Sequence, residues 1–339
     1  MGTNDAWLAQ LDEEVVEPDL KICDPHHHLW GERKGAIMPR YLLEDLVADT
    51  GTGHNIVSTV FVEAKAMYRA DGPENMKCVG EVEFVNGVAA MSASGIYGPT
   101  RACLGIIGST DLDVGAPAGE VLDALIAAAP NRFRGIRHSA TWDPDALVRG
   151  HRHNPPHRML NPSHREGAGE LAKRGLVYEA WCFHPQIPEL VDMARALPDL
   201  DIVLDHVGGP AGIGAAYEGK REEVREVWQR NIAELATCPN VSVKLGGIFM
   251  EVNGFAWHKR PAPPTSDELA EAAGPYFEFV IEKFGPDRAM FESNFPVEKI
   301  STGYKVLWNA FKKVARGYSP SEKAKLFHDT AARVYRIGA

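Results

Sequence analysis

What this sequence has little of narrows it first. No apolar run approaches the roughly 18–20 residues a helix needs to cross a bilayer, and Met1–Gln10 carries no basic segment followed by an apolar one, so no secretory signal is expected. Gly2 opens a myristoylation pattern that Ala6 breaks, where Ser or Thr is required. Positive charge is in deficit: 36 Lys and Arg against 46 Asp and Glu give a formal net charge of −10, without a long basic run. That excludes a phosphate-neutralising nucleic-acid partner. The five cysteines (Cys23, Cys78, Cys103, Cys182 and Cys238) are odd in number, scattered and mostly set in apolar runs, as free thiols in a reducing compartment would be. No GxGxxG follows the first apolar run, so the dinucleotide fingerprint is missing. Internal repeats and low-complexity linkers are missing too. The expectation is a soluble, cytoplasmic protein with a small-molecule partner, no membrane, and room for a homo-oligomer.

What is there has the proportions of a globular chain with a large core: 45 % apolar and 24 % charged over 339 residues. After an arm over residues 1–19, short apolar runs alternate with longer amphipathic ones. Strands are expected at Leu20–Cys23, Ile56–Ala64, Ala102–Ile107, Phe133–Arg137, Leu176–Phe183, Ile202–Asp205, Val241–Leu245 and Ala289–Phe291. Most are too continuously apolar to have a solvent face, as in a parallel sheet covered on both sides. Helical spacing is found at 120–129, 188–196, 222–236, 266–283 and 303–315, and Ser319-Pro320-Ser321-Glu322 reads as a capping box opening a last helix. Eight alternations predict a distorted (β/α)8 TIM barrel over 20–339, with an open doubly wound sheet as the alternative. The aperiodic stretch Ser139–Gly175 predicts a lid-like insertion after the fourth strand.

In such barrels chemistry gathers at the C-terminal ends of the strands. There the chain places His26 and His28 after strand one, on one side of an extended backbone with His27 opposite. Strand two ends at Glu63, strand four at Arg137-His138, and strand five leads into His184. Strand six leads into Asp205-His206-Val207-Gly208-Gly209, strand seven carries Lys244 before Gly246-Gly247, and strand eight runs into Glu292-Ser293-Asn294-Phe295-Pro296. One histidine after a strand is ordinarily a hydrogen-bonded loop residue. Five ends carrying histidines, Arg137 or Lys244 argue for a site. His151, His153, His157 and His164, set among Arg and Pro away from strand ends, read as a solvated loop rather than a metal cluster.

The combination of His26-x-His28, His184, Asp205-His206-x-Gly208 and Glu292-Ser293-Asn294-Phe295-Pro296 resembles the amidohydrolase superfamily. More narrowly it is similar to the amidohydrolase-related branch that contains sugar-acid lactonases and 2-pyrone-4,6-dicarboxylate lactonase. The likeness runs from about Leu20 onward and includes Arg134-Gly135-Ile136-Arg137, Val243-Lys244-Leu245-Gly246-Gly247 and Thr330-Ala331-Ala332-Arg333-Val334-Tyr335. It implies a barrel that hydrolyses a small cyclic ester. It also implies His26, His28 and His184 as ligands of one divalent metal, zinc first among them, with His206 near the substrate and a strand-eight Asp as base. Some lactonases of this branch work without metal, so metal-free action stays open.

Here Asn294 stands where that Asp is expected, and an amide neither carries a proton as a carboxylate does nor ligates a metal as well. Three replacements are open. Glu292, on the same face about 6–7 Å deeper, can be the base if burial raises its pKa. His206 can be the base if Asp205 or a backbone carbonyl fixes its tautomer. A metal can itself acidify water. For Glu292 the plain alternative is an interior ion pair with Arg137 or Lys244. Arg137 suits a substrate carboxylate and Lys244 an oxyanion, with structural ion pairs as the alternatives. Glu63 suits orientation of His26 or His28, and His138 belongs to the same group of substrate-side candidates.

The expected activity is lactone hydrolysis on a small, carboxylated cyclic ester. The rivals are metal-dependent non-oxidative decarboxylation, which needs no strand-eight base, and a non-catalytic binding barrel.

Overall fold

The computed structural model describes residues 4–33, 38–150 and 153–338. Its centre is a sheet of eight parallel strands in chain order: β1 Lys21–His27, β2 Asn55–Val62, β3 Arg101–Gly108, β4 Phe133–Arg137, β5 Val177–Ala180, β6 Ile202–Leu204, β7 Val241–Leu245 and β8 Ala289–Phe291. Just past β8, the Asn294 N–H donates to the His26 carbonyl at 2.9 Å and the His28 N–H to the Phe295 carbonyl at 2.7 Å. These two bonds close β1 onto the β8 end, giving the (β/α)8 barrel. β1 runs four residues past Cys23, so the His pair lies on and just beyond a strand end.

The outer ring is built where the spacing predicted it, with helices Ala118–Ala128, Ile187–Ala196, Arg221–Leu235, Ser266–Phe284 and Tyr304–Val314. Each turns a stripe such as Val224, Trp228, Ile232 and Leu235 onto the strands, and each fully buried side chain of this kind contributes roughly 1.5–3 kcal/mol. Helix starts follow local chemistry. Thr265 and Glu268 exchange side-chain-to-backbone bonds, and Ser319 and Glu322 do the same. Leu43–Thr50 and Val79–Ala93 are helices beyond those expected from the spacing. The second is apolar nearly all round, which blurs the period.

The predicted insertion is partly a normal barrel element. Asn161 caps a helix, Pro162–Lys173, through the Ser163 N–H at 2.9 Å, and this helix stands in the outer ring between β4 and β5. The described remainder, 138–150 and 153–161, carries only a short helix, Ala146–Arg149, and a 3-10 turn, Arg158–Leu160. The reading of His164 as a solvated loop residue is therefore corrected: it is fully buried on that helix. His153 and His157 are exposed, and His151 lies outside the described residues. The C-terminal segment is a broken helix, Pro320–Ala324, a π-turn Lys325–Asp329 and Thr330–Val334. It delivers Tyr335 and Ile337 into an inner cluster with Cys23, Val60, Ile107, Val177 and Val203. Among the described residues no helix is long and apolar enough to cross a membrane.

Candidate active site

Alternation along the strands decides which side chains enter the barrel. On β1, His26 points inward, while His27 points out to Thr59 Oγ1 at 2.8 Å and the Phe61 ring. On β4, Arg137 points inward. The next residue, His138, faces out, where its Nδ1 accepts the Leu112 N–H at 3.3 Å and its ring lies 5.3 Å from that of His164. His138 is thus separated from the site by strand geometry.

Inside, Glu292 stands between two imidazoles. Its Oε1 is 2.6 Å from His206 Nδ1 and 3.1 Å from the His206 N–H, and its Oε2 is 2.6 Å from His26 Nδ1. The tautomer-fixing partner of His206 is Glu292, where Asp205 or a carbonyl was expected. His206 takes a left-handed φ of +55°. Gly247, at φ +61°, makes room for it, since a Cβ there would lie 2.1 Å from His206 Nδ1. The edge of Trp181 packs on the His206 ring at 4.6 Å between centroids. His206 Nε2 has no hydrogen-bond partner among the described residues.

The cations lie below and beside this pair. Lys244, fully buried, places Nζ 2.8 Å from Glu179 Oε1, 3.1 Å from Asp205 Oδ1 and 3.2 Å from His26 Nδ1. Burial alone would lower its pKa, but Asp205, Glu179 and Glu292 outweigh that and raise it. Asp205 is held low: its burial is overcome by the charges of Lys244, His206 and Arg137. Glu179 is pushed up to about 8 by burial, and it also accepts the Tyr335 hydroxyl at 2.6 Å. Arg137 donates Nε to Glu63 Oε1 at 2.9 Å and Nη2 to the Glu63 carbonyl at 2.8 Å, with Nη1 3.2 Å from His26 Nε2 and 3.6 Å from Asp205. Arg137 and Lys244 are therefore engaged in the interior ion pairs that stood as their alternatives, and Glu63 holds Arg137 rather than a histidine.

A family model of the amidohydrolases matches residues 23–337. The chain belongs to the amidohydrolase family. It is 33 % identical over 337 residues to the uncharacterized protein y4mH of Sinorhizobium fredii, covering 94 % of this chain and 99 % of that one. It is 30 % identical over 290 residues to an L-fucono-1,5-lactonase of Burkholderia ambifaria, covering 80 % and 87 %. Its fold matches the crystal structure of an amidohydrolase from Burkholderia multivorans with bound zinc, at a TM-score of 0.71 and 22 % identity, covering 94 % and 99 %.

Whether this amidohydrolase's residues fit a divalent metal is a question of lone pairs. Burial, with Lys244 next for His26 and Arg137 next for His28, holds both pKa values well below the ordinary 6.5, so both rings are neutral. His28 Nδ1 lies 2.8 Å from the Val62 carbonyl, which only accepts, so Nε2 carries the lone pair. His26 Nε2 faces the Arg137 Nη1 donor at 3.2 Å, which places an acceptor lone pair there as well. These two Nε2 atoms face each other at 3.2 Å, and Asn294 Oδ1 approaches His28 Nε2 at 3.3 Å. Acceptors converging in a buried place repel unless something positive joins them; Arg137 Nη1 reaches His26 Nε2, while His28 Nε2 and Asn294 Oδ1 have no such donor among the described residues, so the residues fit a cation there. Two groups of close ligand atoms inside the barrel, His26–His206–Glu292 and His26–Glu179–Asp205, are already joined by hydrogen bonds or by the Lys244 ammonium, and a third, Asp113–His138–His164, lies outside the site.

His184 is not among these atoms. Its Nδ1 accepts the Ala211 N–H at 3.3 Å and its ring packs on Tyr217 at 5.1 Å. Sequence reasoning left Glu179 without a role, although a charged residue inside a continuously apolar strand was a readable signal. It also missed Asp24, whose carboxylate accepts from Ser293 N (2.9 Å), Ser293 Oγ (2.6 Å) and Tyr304 Oη (2.9 Å), fastening the segment after β8 onto β1.

Proposed function

We propose that this enzyme hydrolyses a small lactone of the aldonolactone type, with His206 Nε2 as general base. The observation that carries this is Glu292 between His26 and His206. A carboxylate 2.6 Å from His206 Nδ1 holds that proton in place and leaves the Nε2 lone pair free to take a proton from water. The same arrangement stabilises the imidazolium that results, which then returns the proton to the ring oxygen as the ester opens. With Oε1 bonded to His206 and Oε2 2.6 Å from His26 Nδ1, Glu292 itself is an orienting group. A divalent cation, zinc in this proposal, would be held by His26, His28 and Asn294, and when bound would polarise the ester carbonyl. Lys244 and Arg137 keep His26 in place and neutralise the carboxylates around it.

The lactonase name of a 30 % identical relative supports the substrate class. With Arg137 tied to Glu63, nothing in the site favours a carboxylate on the substrate, so the proposal is a hydroxylated, uncharged lactone. Asn294 favours a second reading, non-oxidative decarboxylation of an aromatic acid, which has no need of a strand-eight carboxylate. Acid release from a panel of aldonolactones, set against CO2 release from a panel of hydroxybenzoates, separates the two. Lactone turnover that falls at least about 100-fold in His206→Asn is expected. CO2 release without lactone turnover overturns the reading.

A further inference from the structure

The last turn of the chain closes the floor of the barrel. Beyond Thr330–Val334, Tyr335 and Ile337 enter an apolar layer with Val177 and Val203. Arg134 on β4 clamps this turn, donating Nε to the Tyr335 carbonyl at 2.6 Å. Two residues further along β5 and β6 the interior becomes polar, with Glu179 following Val177 and Asp205 following Val203 on the same face. Tyr335 joins the two layers. Its fully buried ring lies among the apolar side chains, and its hydroxyl donates to Glu179 Oε1 at 2.6 Å. The same oxygen receives Lys244 Nζ at 2.8 Å. That ammonium stands 3.2 Å from His26 Nδ1 and 5.6 Å from the centre of the Tyr335 ring.

We propose that Tyr335 is a positioning residue of the site, acting from the barrel floor through Glu179 and Lys244 on His26. It touches no reacting atom, and the inference rests on the reading of the His26–His206 end as the place of reaction. Packing alone asks only for the ring, which phenylalanine would supply. The hydroxyl is a polar atom carried into a closed apolar floor, and its partner is the carboxyl that faces Lys244. An ammonium only donates, and the phenol's one O–H is aimed at Oε1, so Oε1 accepts from both whether or not Oε2 carries a proton. Oε2 has no partner among the described residues. The rotation of the carboxyl is therefore held by the two donors on Oε1. Without the hydroxyl, Glu179 is left to one donor and turns about its soft outer torsion. Lys244 follows it, because a buried ammonium stays with its counter-charge. The displacement passes to His26, which Glu292 joins to His206.

The test sets Tyr335→Phe, which keeps the ring and deletes the hydroxyl, beside Ile337→Ala, which loosens the same floor and keeps the hydroxyl. The first readout is NMR of the histidine ring nitrogens in metal-free, isotope-labelled protein, and it needs no substrate. Tyr335→Phe is expected to displace the His26 resonances, assigned by their loss in His26→Gln, and to leave those of His54 and His164 in place. Ile337→Ala is expected to lower Tm by about 4 °C or more without moving His26. Glu179→Gln, which takes the counter-charge from Lys244, reads the link from its other end and should move His26 as well; it carries the test if Tyr335→Phe does not fold. On whichever lactone or acid the parent turns over, kcat of Tyr335→Phe should fall about 10-fold or more with KM within about 2-fold, and Ile337→Ala should keep both within about 2-fold. His26 resonances unmoved in Tyr335→Phe, or moved equally in Ile337→Ala, overturn the positioning role, as does a loss confined to KM. A parent that opens no lactone overturns the proposed reaction instead, and the resonance test of Tyr335 stands apart from it.

Discussion

Glu292 Oε1 lies 2.6 Å from His206 Nδ1 while Oε2 lies 2.6 Å from His26 Nδ1, so one carboxylate touches the rings of two strand ends at once. Glu292→Gln keeps the shape but offers an NH2 to one of those nitrogens, favouring the wrong tautomer. We expect kcat to fall about 10³-fold or more with KM little changed, by analogy with other His-orienting carboxylates. Steady-state kinetics on whichever lactone is turned over checks this, and a loss under tenfold would show that Glu292 does not orient the base.

Arg137 and Glu63 form a buried pair with bonds at 2.9 and 2.8 Å. Removing one partner strands the other charge, at a cost of about 3–5 kcal/mol. Urea denaturation of Glu63→Gln, Arg137→Met and the double variant should show the double costing less than the sum of the singles. Strict additivity would mean that the pair contributes no coupling.

Metal content distinguishes the ligand set in this structure from the one the sequence suggested. Elemental analysis should find about one zinc per chain, lost in His28→Ala and kept in His184→Ala, because His184 is bonded to Ala211 away from the cradle. Less than about 0.2 metal per chain in the parent would remove the metal from the mechanism. Loss of metal in His184→Ala would restore the ligand set read from the sequence.

Stability should peak near pH 6.5. Burial lowers His27 to about 3, and His54 and His184 to about 4. Their contribution is full above the ordinary 6.5 and is lost as pH falls toward those values. Burial raises Glu81 and Glu179 to about 8. Theirs is full below the ordinary 4.5 and is lost as pH rises through 8. Tm measured from pH 4.5 to 9 should therefore fall on both sides, and Glu81→Gln should flatten the alkaline side. A monotonic profile would contradict these burials.

The barrel was legible because eight apolar runs alternating with amphipathic segments leave little choice of fold, and the strand limits at Phe133–Arg137, Val241–Leu245 and Ala289–Phe291 coincide with expectation. The run Ser139–Gly175 was harder to read. A polar helix with a weak stripe resembles a loop until its neighbours are known, so His164 was placed in solvent when it is buried between Asp113 Oδ1 at 2.8 Å and Tyr178 Oη at 3.2 Å. Adjacency to Arg137 along the chain makes His138 look like a site residue, and strand alternation sends it outward.

What the sequence by itself determined was the set of strand ends at which chemistry-bearing residues meet, since that depends on period and order along the chain. Which of those residues touch was decided by the closure of β1 onto the β8 end and by the depth of each side chain in the barrel. Closure brings Asn294 to His28. Depth gives Arg137 to Glu63 and Lys244 to Glu179 and Asp205, because buried charges must find opposite charges within a few ångströms. That leaves Glu292 between the two imidazoles. Pairing among buried charges is a property of three-dimensional distance, which spacing along the chain does not encode.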